Sequence, residues 1–498
     1  MELLTNGIFM SFIGYLILMV IIGFVFCKQN KSLNDYLLGG RGLGSWVTAI
    51  SAQASDMSGW LLMGLPGAIY LGGMGDAWVA IGLGLGTLFN WLLIAPRLRT
   101  YTERTNALTL SSFFADRFRD PTGMLRAVSS IIILIFFSIY AASGLVACGK
   151  LFESMFGFNY QVAVLTGTFV ILAYTLLGGY LAVCWTDLIQ GMLMMIAIVV
   201  VPLIATANAG SGIISDGIQA VINAGAQKNL SLLPNATNGL TIMAIISCAV
   251  WGLGYFGQPH ILSRFMSIKD VKLLPRSITI AMIWVVISLA GAVAIAFVAM
   301  PLFPNLGKAE AETIFIKMIM IYFNPWIGGI MLAAIMAAIM STIDSQLLVS
   351  TSALTEDFYR RVIRRQASVK ESVWISRGFV VLISVLAMFI ALWPNDTIFN
   401  IVKFAWGGFG AAFGPVVIMA LYSRKTTWFS ALAGMITGTV VMLVWYMLGL
   451  NKYMYEILPG FVANFIVMFV INMISAQKNN DIIEQFEDVK NNSSMLKK

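Results

Sequence analysis

Trp46-Val47-Thr48-Ala49-Ile50-Ser51-Ala52-Gln53-Ala54-Ser55-Asp56-Met57-Ser58-Gly59-Trp60, followed by Gly64, Pro66 and Gly67, is apolar at its ends and small and polar at its centre. The segment is long enough to cross a bilayer core as a helix, which takes about twenty residues. An aspartate at the centre of such a helix costs about 2.5–3.5 kcal/mol on insertion scales. Irregular backbone survives at membrane depth only where protein or a water-filled cavity surrounds it. The stretch therefore reads as a helix broken inside a protein; the competing reading is a glycine-kinked helix whose small residues allow close packing.

The rest of the chain supports a membrane setting. Of 498 residues, 59% are hydrophobic and 11% charged, whereas a soluble surface needs about a quarter charged. Hydropathy gives thirteen candidate spans at roughly 7–27, 44–72, 75–96, 124–152, 160–178, 186–206, 238–262, 275–302, 325–353, 373–393, 398–422, 426–449 and 453–474. The division between the fifth and sixth is the least distinct, since Gly178, Gly179 and Tyr180 leave only a short turn. The first run follows Glu2 with no preceding Lys or Arg, so it reads as a retained span and not a cleaved leader.

Cys27, Cys148, Cys184 and Cys248 lie in or beside apolar runs without metal or disulfide spacing, and read as buried thiols. A single histidine, His260, makes histidine-based catalysis or a metal cage improbable. The net charge of +8 sits in alternate loops, among them those with Arg97, Arg99, Arg104, Arg117 and Arg119, with Arg264, Lys269 and Lys272, and with Arg360 to Lys370. The opposite loops hold only Lys228, Lys308, Lys317 and Lys452. This asymmetry predicts an outside N-terminus and a cytoplasmic tail in a bacterial inner membrane, and accounts for the basic excess without nucleic acid. The short polar tail argues against a sensor domain.

A second broken span pairs with the first. Trp251-Gly252-Leu253-Gly254-Tyr255-Phe256-Gly257-Gln258-Pro259-His260 is dense in helix breakers and lies five spans later. Paired interruptions at the start of two oppositely oriented five-helix units point to a substrate site where the units meet. The predicted fold is an all-α polytopic membrane protein of about 13 helices around a ten-helix core of two inverted five-helix repeats. Its divisions are 1–43 (first helix and loop), 44–208 (first repeat), 209–237 (outer loop), 238–422 (second repeat), 423–475 (two further helices) and 476–498 (tail).

The ninth span adds Ala338, Ser341 and Thr342 at positions i, i+3 and i+4, on one helix face. Two hydroxyls and a carbonyl there present oxygens suited to a hard cation. The alternative is that the hydroxyls bond back to the preceding turn.

The motifs Gly39-Gly40-Arg41-Gly42-Leu43-Gly44, Ala54 to Gly59, Leu65-Pro66-Gly67, Trp251 to Leu262 and Ser341-Thr342 through Glu356-Asp357 resemble the sodium/solute symporter family and, within it, its proline carriers. The resemblance covers about residues 30–425 and implies thirteen spans with a LeuT-like core. It also implies a co-transported sodium ion held by main-chain carbonyls of Ala54, Met57 and Ala338 and by hydroxyls of Ser341 and Thr342. Asp56, Arg41 and Asp187 match positions tied to coupling; Asp187 reads equally as a charge at a helix start, favoured by the dipole. L-proline is implied among Tyr140, Trp251, Tyr255 and Pro259. Aromatic faces suit its ring and cationic nitrogen, and N–H groups at a half-helix start suit its carboxylate.

Asp344 departs from the family pattern, and is expected to guide ion release or to pair with a cation such as Arg377. The expected activity is sodium-driven proline uptake by alternating access, with one copy sufficient. The rivals are symport of another small zwitterion or carboxylate (pantothenate or a related amino acid) and an ion channel or sensor. No nucleophile–base pair suggests an enzyme.

Overall fold

A computed structural model describes residues 2–27, 33–176, 179–209, 219, 231–233, 241–364 and 366–493. The described chain is helical apart from connections and one isolated bridge, Leu43 with Ile268. Among the described residues nine helices are long and apolar enough to cross a membrane, and Ile242–Gly257 with Pro259–Ser267 forms a further pair bent by 47°. Three expected spans correspond to shorter apolar helical stretches, at Gly7–Gly23, Trp60–Gly72 and Tyr160–Ala173. Most of the outer loop expected at 209–237 lies outside the described residues, as do Lys28, Lys31, Lys228 and Arg365 from the charge argument.

The first helix is α1 (Glu2–Cys27). The opening segment then divides as its composition demands. Helix α2 (Ser45–Ala54) stops at Ser55, where small polar side chains offer the backbone alternatives to helix. A π-helical turn at Trp60–Gly64 leads into α3 (Leu65–Gly72), with Pro66 in its first turn, where a missing N–H is harmless. Next come α4 (Trp78–Phe89) and α5 (Ala95–Thr105), which prolong the third span well beyond its apolar limit, and the short α6 (Leu110–Phe118). Helices α7 (Met124–Phe156) and α8 (Tyr160–Thr175) precede α9 (Tyr180–Ala209). Helix α9 begins six residues before the expected 186, so Asp187 stands two turns inside it. The helix-start alternative for that residue is therefore wrong.

The second broken span reads α10 (Thr241–Ala249), a 3-10 stretch at Val250–Gly257, extended Gln258, and α11 (Pro259–Ser267). Glycines allow this stretch to lie against α4: a Cβ on Gly86 would run into the backbone of Gly252, and one on Gly82 into that of Ala249. Helices α12 (Leu274–Leu302), α13 (Pro325–Ser352), α14 (Val369–Ala391), α15 (Ile398–Tyr422), α16 (Trp428–Met447) and α17 (Ile457–Ile474) complete the apolar set. The polar tail folds as well. Its α18 (Asn480–Asn492) is capped by the Asn479 side chain and buries Ile482, Phe486 and Val489 along one face.

Candidate functional site

The break after Ala54 leaves main-chain carbonyls without the next turn's N–H groups. Helix α13 supplies partners from across the gap. The Ser341 hydroxyl donates to the Ala54 carbonyl at 2.8 Å and lies 3.2 Å from that of Ala338, and the Thr342 hydroxyl donates to Ala54 at 3.3 Å. Ser341 thus combines the two expected alternatives, bonding back to its own helix and across to α2, whereas Thr342 bonds across. Four of the five oxygens expected to hold a cation therefore form one cluster. Met57, the source of the fifth, lies within the same break, its N–H bonded to the Gln53 carbonyl at 2.8 Å.

Asp56 ties the two breaks together. Its carboxylate accepts from the Tyr255 hydroxyl at 2.6 Å. Its carbonyl accepts from the Tyr140 hydroxyl at 3.0 Å and from the Trp60 indole at 2.9 Å. Trp251 stacks on Trp60, ring centroids 6.4 Å apart, and packs on Phe399 at 4.7 Å. Pro259 opens α11 after Gln258, whose amide donates to the Trp406 carbonyl at 3.3 Å. The structure thus brings Tyr140, Trp251, Tyr255 and Pro259 to the two interruptions. All four are buried, so the site opens to neither face.

Closures lie on both sides. On the face away from the basic loops, Glu312 pairs with Lys150 at 2.6 Å and accepts the Ile398 and Phe399 N–H groups, both at 3.1 Å, at the start of α15. On the basic face Arg41 donates to the carbonyls of Met266 (2.8 Å), Thr102 (2.9 Å) and Ala107 (2.8 Å). Burial and the neighbouring Arg99 guanidinium lower its pKa to about 10, which leaves it charged at neutral pH. Arg41 therefore fastens loop ends together on the basic face and does not join the oxygen cluster.

Asp187 has a partner the sequence reading placed in a loop. Arg264 is fully buried on α11, 3.2 Å from the Asp187 carboxylate. Its guanidinium also donates to the Ser51 hydroxyl (3.1 Å), the His260 carbonyl (2.9 Å) and the Ser345 hydroxyl. Ser51 in turn donates to Asp187 at 2.7 Å. The network joins α2, α9, α11 and α13 on one side of the oxygen cluster. A buried guanidinium needs such a set, because a lone charge in a low dielectric is costly. Its signal was present: His260, Ser263, Arg264 and Ser267 form a polar stripe on one helical face. Asp344 accepts from the Thr175 hydroxyl. Arg377 instead lies 5.0 Å from the Trp374 ring centroid, so the anticipated Asp344–Arg377 pair is not formed.

Residues 36–438 match the Sodium:solute symporter family. The chain belongs to that family. Members of the Sodium:solute symporter family are carriers, so this protein moves a small solute with sodium and is not an enzyme. Among similar proteins are the sodium/proline symporter of Escherichia coli (strain K12), 44% identical over 97% of this chain and 96% of that protein, and two from Bacillus subtilis (strain 168). These are the high-affinity proline transporter PutP, 44% identical over 96% of this chain and all of that protein, and the osmoregulated proline transporter OpuE, 45% identical over 93% of each. Among solved structures, a sodium-coupled sialic acid symporter superposes with a TM-score of 0.77 at 18% identity, covering 95% of this chain and 99% of that one. Mhp1, a nucleobase-cation symporter, gives 0.56 at 12% identity over 91% and 98%. These likenesses place the symporter among all-α, LeuT-like membrane proteins.

Proposed function

We propose that the protein carries L-proline into a bacterial cell together with sodium, by alternating access. The observation that carries this reading is the Ala54 carbonyl, released by a helix break and faced by the Ser341 and Thr342 hydroxyls. A sodium ion takes neutral oxygen ligands. It would displace the two hydroxyl hydrogens, which rotate away and leave oxygen lone pairs directed inward. Carbonyls of Ala54, Met57 and Ala338 complete the shell, and Asp56 adds negative potential from one residue away.

The aromatic groups at the other side of Asp56 suit a small zwitterion with an apolar ring. Tyr140, Trp251 and Tyr255 enclose the ring, while the start of α11 presents N–H groups to its carboxylate. Curated relatives named as proline carriers, alike over nearly the whole chain, favour proline over pantothenate or another amino acid.

The basic face is assigned to the cytoplasm on the charge asymmetry, with the N-terminus outside and the tail inside. The broken, bent and shorter helices support thirteen crossings, with the repeats spanning 44–208 and 238–422. Every proposed ligand comes from one chain, so a single copy suffices. Bound sodium holds α2 to α13 and raises the share of the outward-open form; proline then closes the aromatic layer, and the basic face opens.

Initial rates of labelled proline uptake into membrane vesicles, titrated with sodium, test the reading. Saturable uptake that rises with external sodium is expected. Equal uptake with and without a sodium gradient overturns the coupling, and sodium-dependent uptake of pantothenate in preference to proline overturns the cargo.

A further inference from the structure

The His260 carbonyl accepts from Arg264, but its imidazole takes no part in that network. It is fully buried, and among the described residues neither ring nitrogen has a hydrogen-bond partner. The imidazole stands edge-on to Phe137 and Tyr140, with ring centroids 5.4 and 6.2 Å apart. Tyr140 is the residue whose hydroxyl reaches the Asp56 carbonyl. The imidazole therefore packs against the ring that reaches the break in the first span, while its backbone lies in the first turn of the half-helix after the second.

That half-helix, α11, starts uncapped. Gln258 at its cap position makes no side-chain bond to the first turn, and Pro259 has no N–H to give. The N–H groups of His260 and Ile261 occupy first-turn positions that lack intrahelical acceptors, and both residues are buried. The other unpartnered side-chain atoms of the two breaks include two acceptors, one Asp56 carboxylate oxygen and the Gln258 amide oxygen, and the Gln53 amide, which has both a donor and an acceptor free of hydrogen bonds. Acceptors beside a set of donors match the two ends of a zwitterion.

We infer that His260 is the side chain that reads the solute's carboxylate, its ring N–H acting with the first N–H groups of α11. Packing alone does not account for the residue. A leucine fills the same apolar space between Phe137 and Tyr140 without burying two unpaired nitrogens, which is unfavourable. The inference rests on the proline-symport reading and deepens it by naming a specificity residue outside the aromatic set.

The test compares L-proline with pyrrolidine, which keeps the ring and the cationic nitrogen but lacks the carboxylate. In vesicles, His260→Leu should raise the KM for proline at least tenfold while leaving the inhibition constant of pyrrolidine within twofold. His260→Gln, which retains a donor, should recover part of the proline affinity, and the sodium dependence of both variants should stay near wild type. Both constants are independent of how much carrier folds, so a poorly expressed variant still reports. Unchanged proline affinity in His260→Leu overturns the inference, as does a parallel loss for both probes. Wild-type vesicles run alongside separate the failures. Absence of sodium-driven proline uptake there defeats the symport reading and this inference together, whereas normal wild-type uptake with an unaffected variant defeats only this one.

Discussion

Ser341 and Thr342 each contribute one hydroxyl to the cluster around Ala54, so either can be removed without unfolding the gap. Ser341→Ala or Thr342→Ala should raise the sodium concentration for half-maximal uptake about tenfold, a loss of about 1.4 kcal/mol, with little change in proline affinity at saturating sodium. Trp251→Ala should do the reverse, since its ring stacks on Trp60 and packs against Phe399 in the aromatic layer. Identical phenotypes from the two classes would contradict this division of roles. Arg264 and Asp187 behave as a unit. Removing one partner strands a buried charge, a penalty of about 3–5 kcal/mol, so Asp187→Asn and Arg264→Gln should each lower the unfolding temperature of the detergent-purified protein. The double variant should recover much of the loss; additive destabilisation would show that the two do not act as a pair.

Helix breaks and helix contacts set the next scale. The 3-10 stretch Val250–Gly257 lies against α4 because neither side carries a side chain at Gly86 and Gly252. Helix α18 joins the basic face from below: Phe486 lies 5.3 Å from the Arg117 guanidinium, and Asp481 and Asp488 pair with Arg119 and Arg104. Its three buried apolar side chains contribute roughly 1.5 kcal/mol or more each, whereas its exposed ion pairs add little. Truncation after residue 476 should therefore lower thermal stability while leaving the proline KM within twofold. High salt should weaken the intact protein only slightly, as thermal unfolding at low and high ionic strength would show. The element was missed in the sequence because a short amphipathic helix in a charged tail looks like a solvated segment until the surface it covers is known.

For the whole molecule, the closures at Glu312 and Arg41 leave the buried site shut from both faces, a form that lies between the outward-open and inward-open states of an alternating-access carrier. One sodium charge entering down an inside-negative potential of 100 mV contributes about 2.3 kcal/mol, equivalent to roughly 50-fold accumulation at 1.4 kcal/mol per decade. Vesicles given that potential should concentrate proline to this order before any sodium gradient is added; accumulation indifferent to the potential would show that no net charge moves with the solute. Much of this architecture was legible in the sequence. Lipid forces backbone hydrogen bonds to stay local, so each crossing appears as an apolar run, and each interruption shows in the glycines, prolines and small polar residues that cause it. Pairings across space were not legible. Ser341 meets Ala54 across 287 residues and Arg264 meets Asp187 across 77, and on composition alone Arg264 was one more basic residue near a loop. Which polar groups share a desolvated pocket depends on how helices settle side by side, and only tertiary packing decides that.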